Sequence, residues 1–245
     1  MEIIRSELFS RFPQIIFGMS SRNGGISPGT LGLNLSFNVG DDKLNVIENR
    51  RRYFGALHIG LDELAFPMQC HSSEVHSIST WGGYENCDGL VTSEFGVFIA
   101  VSVADCVPIF LFDPVTRTAA GVHAGWRGTS SRIVKNAIAL MRSRHGVDPS
   151  NVQAFIGPAA SKCCYEVDDE VAKLFAPEFA VKDGRGKWSV DLKSSNLQQM
   201  VLEGVLSKNI EMHAGCTIHE TKTYHSHRRD GKASGRMMGV IGIVR

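Results

Sequence analysis

Apolar and β-branched residues cluster in short runs at Gln14–Met19, Gly89–Thr92, Val97–Val103, Val107–Phe112, Thr118–His123, Val152–Ile156, Gly215–Ile218 and Met238–Val244. Runs of four to eight such residues bounded by turn formers predict strands. Helical spacing is clearest over Thr129–His145, where Ile133, Ala137, Leu140 and Met141 share a face and Gly146 follows as a C-terminal stop. A second helix is predicted over Asp42–Leu57, with Leu44, Ile47, Phe54 and Leu57 as its apolar positions. A third is predicted after Ser195, which forms a capping-box pair with Gln198 ahead of Met200, Val201 and Val205.

The runs at 97–103, 107–112 and 118–123 are separated by connections too short for parallel crossovers, so their pairing is predicted to be antiparallel. Together these elements predict an α+β fold, a layered sandwich of mixed, largely antiparallel sheets flanked by helices. With 245 residues, 43% of them hydrophobic and 21% charged, the chain has ordinary globular composition, which excludes disorder, collagen and coiled coil. Nothing along it reads as a linker, a repeat or a low-complexity tract, so a single domain spanning 1–245 is expected.

Lys and Arg number 26 against 25 Asp and Glu, a net charge of +1 that gives no global field for holding nucleic acid or an anionic membrane. The first residues lack the basic head and apolar stretch of a signal peptide, and no run of 18 apolar residues occurs, so a cytoplasmic location is expected. In that compartment the six cysteines are expected to be reduced, and since no Cys-x-x-Cys pair occurs, a metal site has to be assembled by the fold.

Three segments carry candidate chemistry. In FIAVSVADCVPIFLFDP two apolar runs meet at Asp105-Cys106, an acid and a thiol that are costly to bury without a use; turn formation by the acid and core packing by the thiol are the plain alternative. In GVHAGWRGTSSRIV a strand passes through Gly125, Trp126, Arg127 and Gly128 into a helix, the outline of an anion site made of free N–H groups and a guanidinium. The alternative there is a turn whose Trp126 and Arg127 merely stack. The Walker pattern is absent, which argues against a nucleoside triphosphatase. Near the C-terminus, TYHSHRRDGKASGR adds histidines and a basic group containing Arg228, Arg229 and Arg236. A meeting of His71 with Cys106 and His123 would suit Zn²⁺, with three protein ligands and an open fourth position.

These stretches, with SSRNGGIS, LNLSFNVGDD, QCHS, CDGLVT and IGPAASKCCYEV, run in order over nearly the whole chain and resemble the YfiH-like family, also called the polyphenol oxidase (laccase-like) or purine nucleoside phosphorylase family, which includes the bacterial peptidoglycan editing factor. The resemblance implies a layered YfiH-like domain and zinc held by His71, Cys106 and His123, with Cu²⁺ the lesser choice. Where the family usually has Gln-Val-His-Gly, this chain has Gln69-Cys70-His71-Ser72, placing an extra thiol beside a ligand. It also implies phosphorolysis of adenosine, inosine, guanosine and methylthioadenosine, with adenosine deamination alongside. The expected partners are therefore a purine nucleoside and phosphate.

On that reading Arg22, Asn34, Arg127, Arg228 and Arg236 are candidate substrate and phosphate residues. Asp105, Cys106 and His123 are candidate catalytic residues, with Asp105 proposed for proton transfer and Glu166 as a second candidate. The H-x-E with P-C-x-x-C signature of the usual zinc deaminases is absent. Three other functions stay open: a cysteine hydrolase or amidase acting on peptidoglycan precursors through Cys106, a copper-dependent polyphenol oxidase, and a metal-stabilised regulatory domain.

Overall fold

A computed structural model describes all residues 1–245. Its frame is two six-stranded sheets. The first orders the strands Ile3–Ile4, Ile15–Ser20, Met237–Ile243, Phe98–Val103, Leu64–Pro67 and Gly82–Tyr84. The second orders Ile210–Met212, Gln153–Ile156, Val107–Asp113, Thr118–Ala124, Gly89–Thr92 and Val75–Ser77. The long central pairings are antiparallel, whereas several pairings nearer the edges, such as Val75–Ser77 with Gly89–Thr92, are parallel.

Alternation along the central strands separates the layers. Ile99 and Val101 join Phe110, Phe112 and Phe155 in the core between the sheets, while Phe98 and Ala100 face the opposite way onto Tyr53 and Phe54 of the Lys43–Gly55 helix. Likewise Ile109 and Leu111 pack with Ile133, Ala137 and Met141 of the Ile133–His145 helix. The order is helix, sheet, sheet, helix, the layered sandwich expected from the pattern, and burial on both faces explains the continuous apolar runs. No helix is long and apolar enough to cross a membrane.

Close approach of the sheets requires small residues opposite large ones. A Cβ on Gly239 would run into the Phe110 ring. Gly239→Ala is therefore expected to destabilise the protein by about 1–3 kcal/mol through overpacking, read as a lower midpoint in urea with an unchanged slope. An unchanged midpoint would show that the layers can part at no cost.

Three local expectations are corrected. The helix predicted over 129–145 is two helices, Trp126–Ser130 and Ile133–His145, because Arg132 adopts a left-handed conformation with φ 61° and ψ 43°. The third helix starts earlier, spanning Leu192–Leu202, because Asp191 caps it by accepting Ser194 N at 3.0 Å, a role a carboxylate fills well at the positive end of a helix; Ser195 is buried within the helix. Residues Gly215–Ile218 form only an isolated bridge from Cys216 to Ala159, since Gly215 N donates to His213 Nδ1 and Cys216 N to Glu220 Oε1 instead of to a neighbouring strand.

Candidate metal centre

The three residues predicted to converge do so. The ligand atoms of His71, Cys106 and His123 all lie within 4.8 Å of one another, although 52 residues of chain separate the first from the last. Each is delivered by a different element. His123 is the penultimate residue of the Thr118–Ala124 strand and pairs in register with Pro108 of the neighbouring strand; Cys106 closes the turn before that neighbour, and His71 lies on the loop after Leu64–Pro67. The imidazoles of His71 and His123 meet edge-to-face, with centroids 5.0 Å apart.

The backbone is held in unusual conformations at this point. His71 has φ 62° and Asp105 has φ 94°, both in the left-handed region that disfavours L side chains. Gly125 matters for space: a Cβ there would lie 3.0 Å from Cys106 Sγ and 3.3 Å from His71 Cδ2.

Asp88, in CDGLVT, organises the ligands and carried no assigned role in the sequence reading. Its Oδ1 accepts His123 Nδ1 at 2.7 Å and His71 N at 3.0 Å; its Oδ2 accepts Cys70 N, Ser72 N and Ser72 Oγ. One buried carboxylate therefore fixes the His123 ring, turns its Nε2 towards Cys106 and shapes the His71 loop. Burial pushes the Asp88 carboxyl up, but the bonds from His123 and Ser72 outweigh it and hold the carboxyl well below its usual range. The sequence signal was present as an acid directly before the strand-forming run Gly89–Thr92, which is buried throughout.

Cys106 and His123 form an acid–base pair in the metal-free protein. Burial opposes charge on Cys106, yet the His123 and His71 imidazoles beside it lower the thiol to about 6. Burial likewise opposes charge on His123, and Cys106 with Asp88 raises it to about 9. A lowered thiol pKa keeps the thiolate populated as pH falls until about 6. In metal-stripped protein, iodoacetamide labelling of Cys106, followed by peptide mass spectrometry, is therefore expected to fall to half its plateau rate near pH 6. A half-point near the ordinary thiol value of about 8.5 would overturn the ion pair.

The other predicted residues divide. Arg127 is exposed and stacks over the Trp126 ring at 4.2 Å, with five residues in its helix. Arg228 lies over the Tyr165 ring at 5.2 Å and gives Nη1 to Glu166 O. Tyr165, which the sequence reading passed over, lies in the field of Cys106, Asp105, Arg228 and Arg127, and burial pushes its hydroxyl up to about 12. Arg236 is partly buried and feels the charges of Asp105 and Cys106. Arg236 thus shares the field of Cys106, and Arg127 and Arg228 share with Cys106 the neighbourhood of Tyr165.

Arg22 and Asn34 are instead spent on structure. Arg22 gives its guanidinium to Thr221 O and Thr30 O, and fully buried Asn34 bonds Ser36, Asp41 and Arg236 N. Asp105 accepts Thr217 Oγ1 on one carboxylate oxygen and Arg228 N on the other, both at 2.7 Å, so this geometry gives it a positioning role. Glu166 pairs with Arg185 at 2.8 Å. Cys70 stands outside the ligand cluster, its Sγ 3.5 Å from Asp88 Oδ2.

Two imidazole nitrogens and a thiolate, backed by a carboxylate, form a donor set that fits a tetrahedral Zn²⁺ with one free position. Two surface grooves, one between the Ile133–His145 and Leu192–Leu202 helices and one beside the Ile15–Ser20 strand, lie away from these residues. Donor chemistry identifies the site.

Known proteins resemble this chain over nearly its whole length. Residues 16–244 match the family model described as multi-copper polyphenol oxidoreductase laccase. The chain is 33% identical to the purine nucleoside phosphorylase YlmD of Geobacillus stearothermophilus, over 94% of this chain and 91% of that protein. It is 37% identical to the adenosine deaminase RL5 of an unknown prokaryotic organism, over 87% of each. The crystal structure of the Geobacillus YlmD superposes with a TM-score of 0.93 at 32% identity, covering 100% of this chain and 97% of that one. That of Bacillus licheniformis YfiH gives 0.90 at 31% identity, covering 98% and 96%.

Proposed function

The chain belongs to the multi-copper polyphenol oxidoreductase laccase family, and from that premise we propose that it is a zinc-dependent purine nucleoside phosphorylase that also deaminates adenosine. The observation that carries this reading is the convergence of His71, Cys106 and His123 on one point, with Asp88 behind them. The phosphorylase and deaminase names of the relatives give the reaction class. The donors form no imidazole-rich array of the kind a multicopper centre needs: the only clusters of three or more candidate ligands are this one and a group of three thiols.

Zinc at the site would supply Lewis acidity and water activation near neutral pH. The chain's own residues do the rest. Arg127, Arg228 and Arg236 hold the phosphate, whose oxygen forms a bond to C1′ of the ribose as the bond from C1′ to the purine nitrogen breaks. The purine nitrogen takes up the proton that the attacking hydrogen phosphate gives up, so that nucleoside and phosphate together yield the free base and ribose 1-phosphate. Asp105 keeps the Cys106 turn against Thr217 and the Arg228 backbone, so that the ligand and the phosphate-binding helix keep their spacing.

Adenosine incubated with the zinc-loaded enzyme is expected to give adenine and ribose 1-phosphate only when phosphate is present, and inosine with or without it, as resolved by liquid chromatography and mass spectrometry. Intact adenosine under both conditions would overturn the reading.

One observation favours a second reading. Cys106, His123 and Asp88 form a thiol–imidazole–carboxylate relay, the geometry of a cysteine hydrolase, which would suit an amidase editing peptidoglycan precursors. Covalent trapping of Cys106 by an alkylating agent in the zinc-loaded enzyme favours it, whereas protection lost only after chelation favours the metal.

A further inference from the structure

Cys163, Cys164 and Cys216 form a second cluster, whose three sulfurs lie within 4.8 Å of one another. Cys163 Sγ is 3.3 Å from Cys164 Sγ and 3.9 Å from Cys216 Sγ. A metal–sulfur bond of about 2.3 Å places three trigonal sulfurs about 4 Å apart, so these thiols already stand at ligand spacing. Two chain segments place them there. The isolated bridge between Ala159 and Cys216 brings the two segments together, and the turn after Ala160 presents the adjacent pair from the other side.

The surroundings favour a thiolate at Cys216, whereas burial and the neighbouring sulfurs push the Cys164 thiol up to about 12 in the metal-free protein. Ser161 N donates to Cys216 Sγ at 3.5 Å, and the buried Lys193 ammonium, bound to the carbonyls of His213, Ala214 and Gly215, lies in the field of both Cys216 and Cys163. Cys216 is buried and Cys163 exposed, so the cluster opens to solvent at one end and is anchored in the protein at the other. No histidine or carboxylate joins the group as a fourth donor. Zn²⁺ favours four ligands, whereas three soft thiolates without a fourth partner match Cu(I).

We propose that Cys163, Cys164 and Cys216 form a trigonal thiolate site for Cu(I), separate from the His71/Cys106/His123 centre. On binding, each thiol loses its proton to solvent and each sulfur forms one bond to the ion, with no change of oxidation state. The two centres are mechanically joined, because Thr217, next to Cys216, donates to Asp105, next to Cys106.

The test is an anaerobic titration of the full-length, zinc-loaded protein with Cu(I) in the presence of bicinchoninate as competitor, alongside copper-edge X-ray absorption. The wild type is expected to take one tightly held equivalent, with three sulfurs at about 2.3 Å. Cys163→Ser, at the exposed end, and half-buried Cys164→Ser are each expected to weaken it at least tenfold, with an unchanged thermal midpoint of the copper-free variants showing an intact fold. Undiminished affinity in both variants would overturn the proposal. So would a copper signal that disappears in Cys106→Ser and persists in Cys163→Ser, which would assign the copper to the other centre.

Discussion

Alanine in place of His123 is expected to leave a folded protein that neither retains zinc nor turns over adenosine. His123 is the ligand with the most support: 4% exposed, fixed in register on a central strand and held by Asp88 at 2.7 Å. Losing it removes one of three protein ligands and leaves Cys106 without the imidazole that favours its thiolate. Because alteration of a residue behind the ligands typically costs about 10–100-fold, loss of a ligand should exceed that, beyond a thousandfold in kcat/KM. Elemental analysis of the purified variant and single-turnover phosphorolysis read the two effects separately. Full turnover in metal-free His123→Ala would remove zinc from the mechanism.

The second large effect is expected from Asp88→Asn. The amide keeps the size of the side chain but replaces one acceptor oxygen with a donor, so either His123 Nδ1 or the N–H groups of Cys70 and Ser72 face an unmatched partner. Zinc affinity, measured by chelator competition, is expected to drop by about 10–100-fold, with catalysis falling in parallel. Saturating zinc should restore part of the activity if Asp88 acts only by positioning. Unchanged zinc affinity would mean that the ligands are held by the fold without it.

The contrast between Asp88 and Asp105 shows what local sequence conveys. Both acids stand at the edge of apolar strands, and proton transfer was expected of Asp105 because it adjoins Cys106. The structure gives its oxygens to Thr217 and Arg228, from a segment more than a hundred residues away, while Asp88 takes the place behind His123. Neither partner set could be read from spacing, because each is made by contacts between separate sheet strands and loops. Arg22 and Asn34 make the same point: the motif marked them, and tertiary hydrogen bonds commit them to the scaffold.

The chain alone determined the layering and the long strands of the two sheets, and its motifs pointed to His71, Cys106 and His123; the strands Ile3–Ile4, Leu64–Pro67, Val75–Ser77, Gly82–Tyr84 and Ile210–Met212 are too short to stand out in the pattern. The layering and the long strands follow from short runs of apolar and β-branched residues bounded by turn formers; the three ligand candidates follow from the motif resemblance. Tertiary structure alone decided that a carboxylate from CDGLVT orients the histidines and that Arg132 breaks the helix beyond the site. It likewise decided that Cys163 and Cys164 meet Cys216 across 52 residues of intervening chain. The physical reason is range: side-chain periodicity records which face is buried, whereas ligand and hydrogen-bond partners are chosen by which elements the packed core brings within about 3 Å of each other.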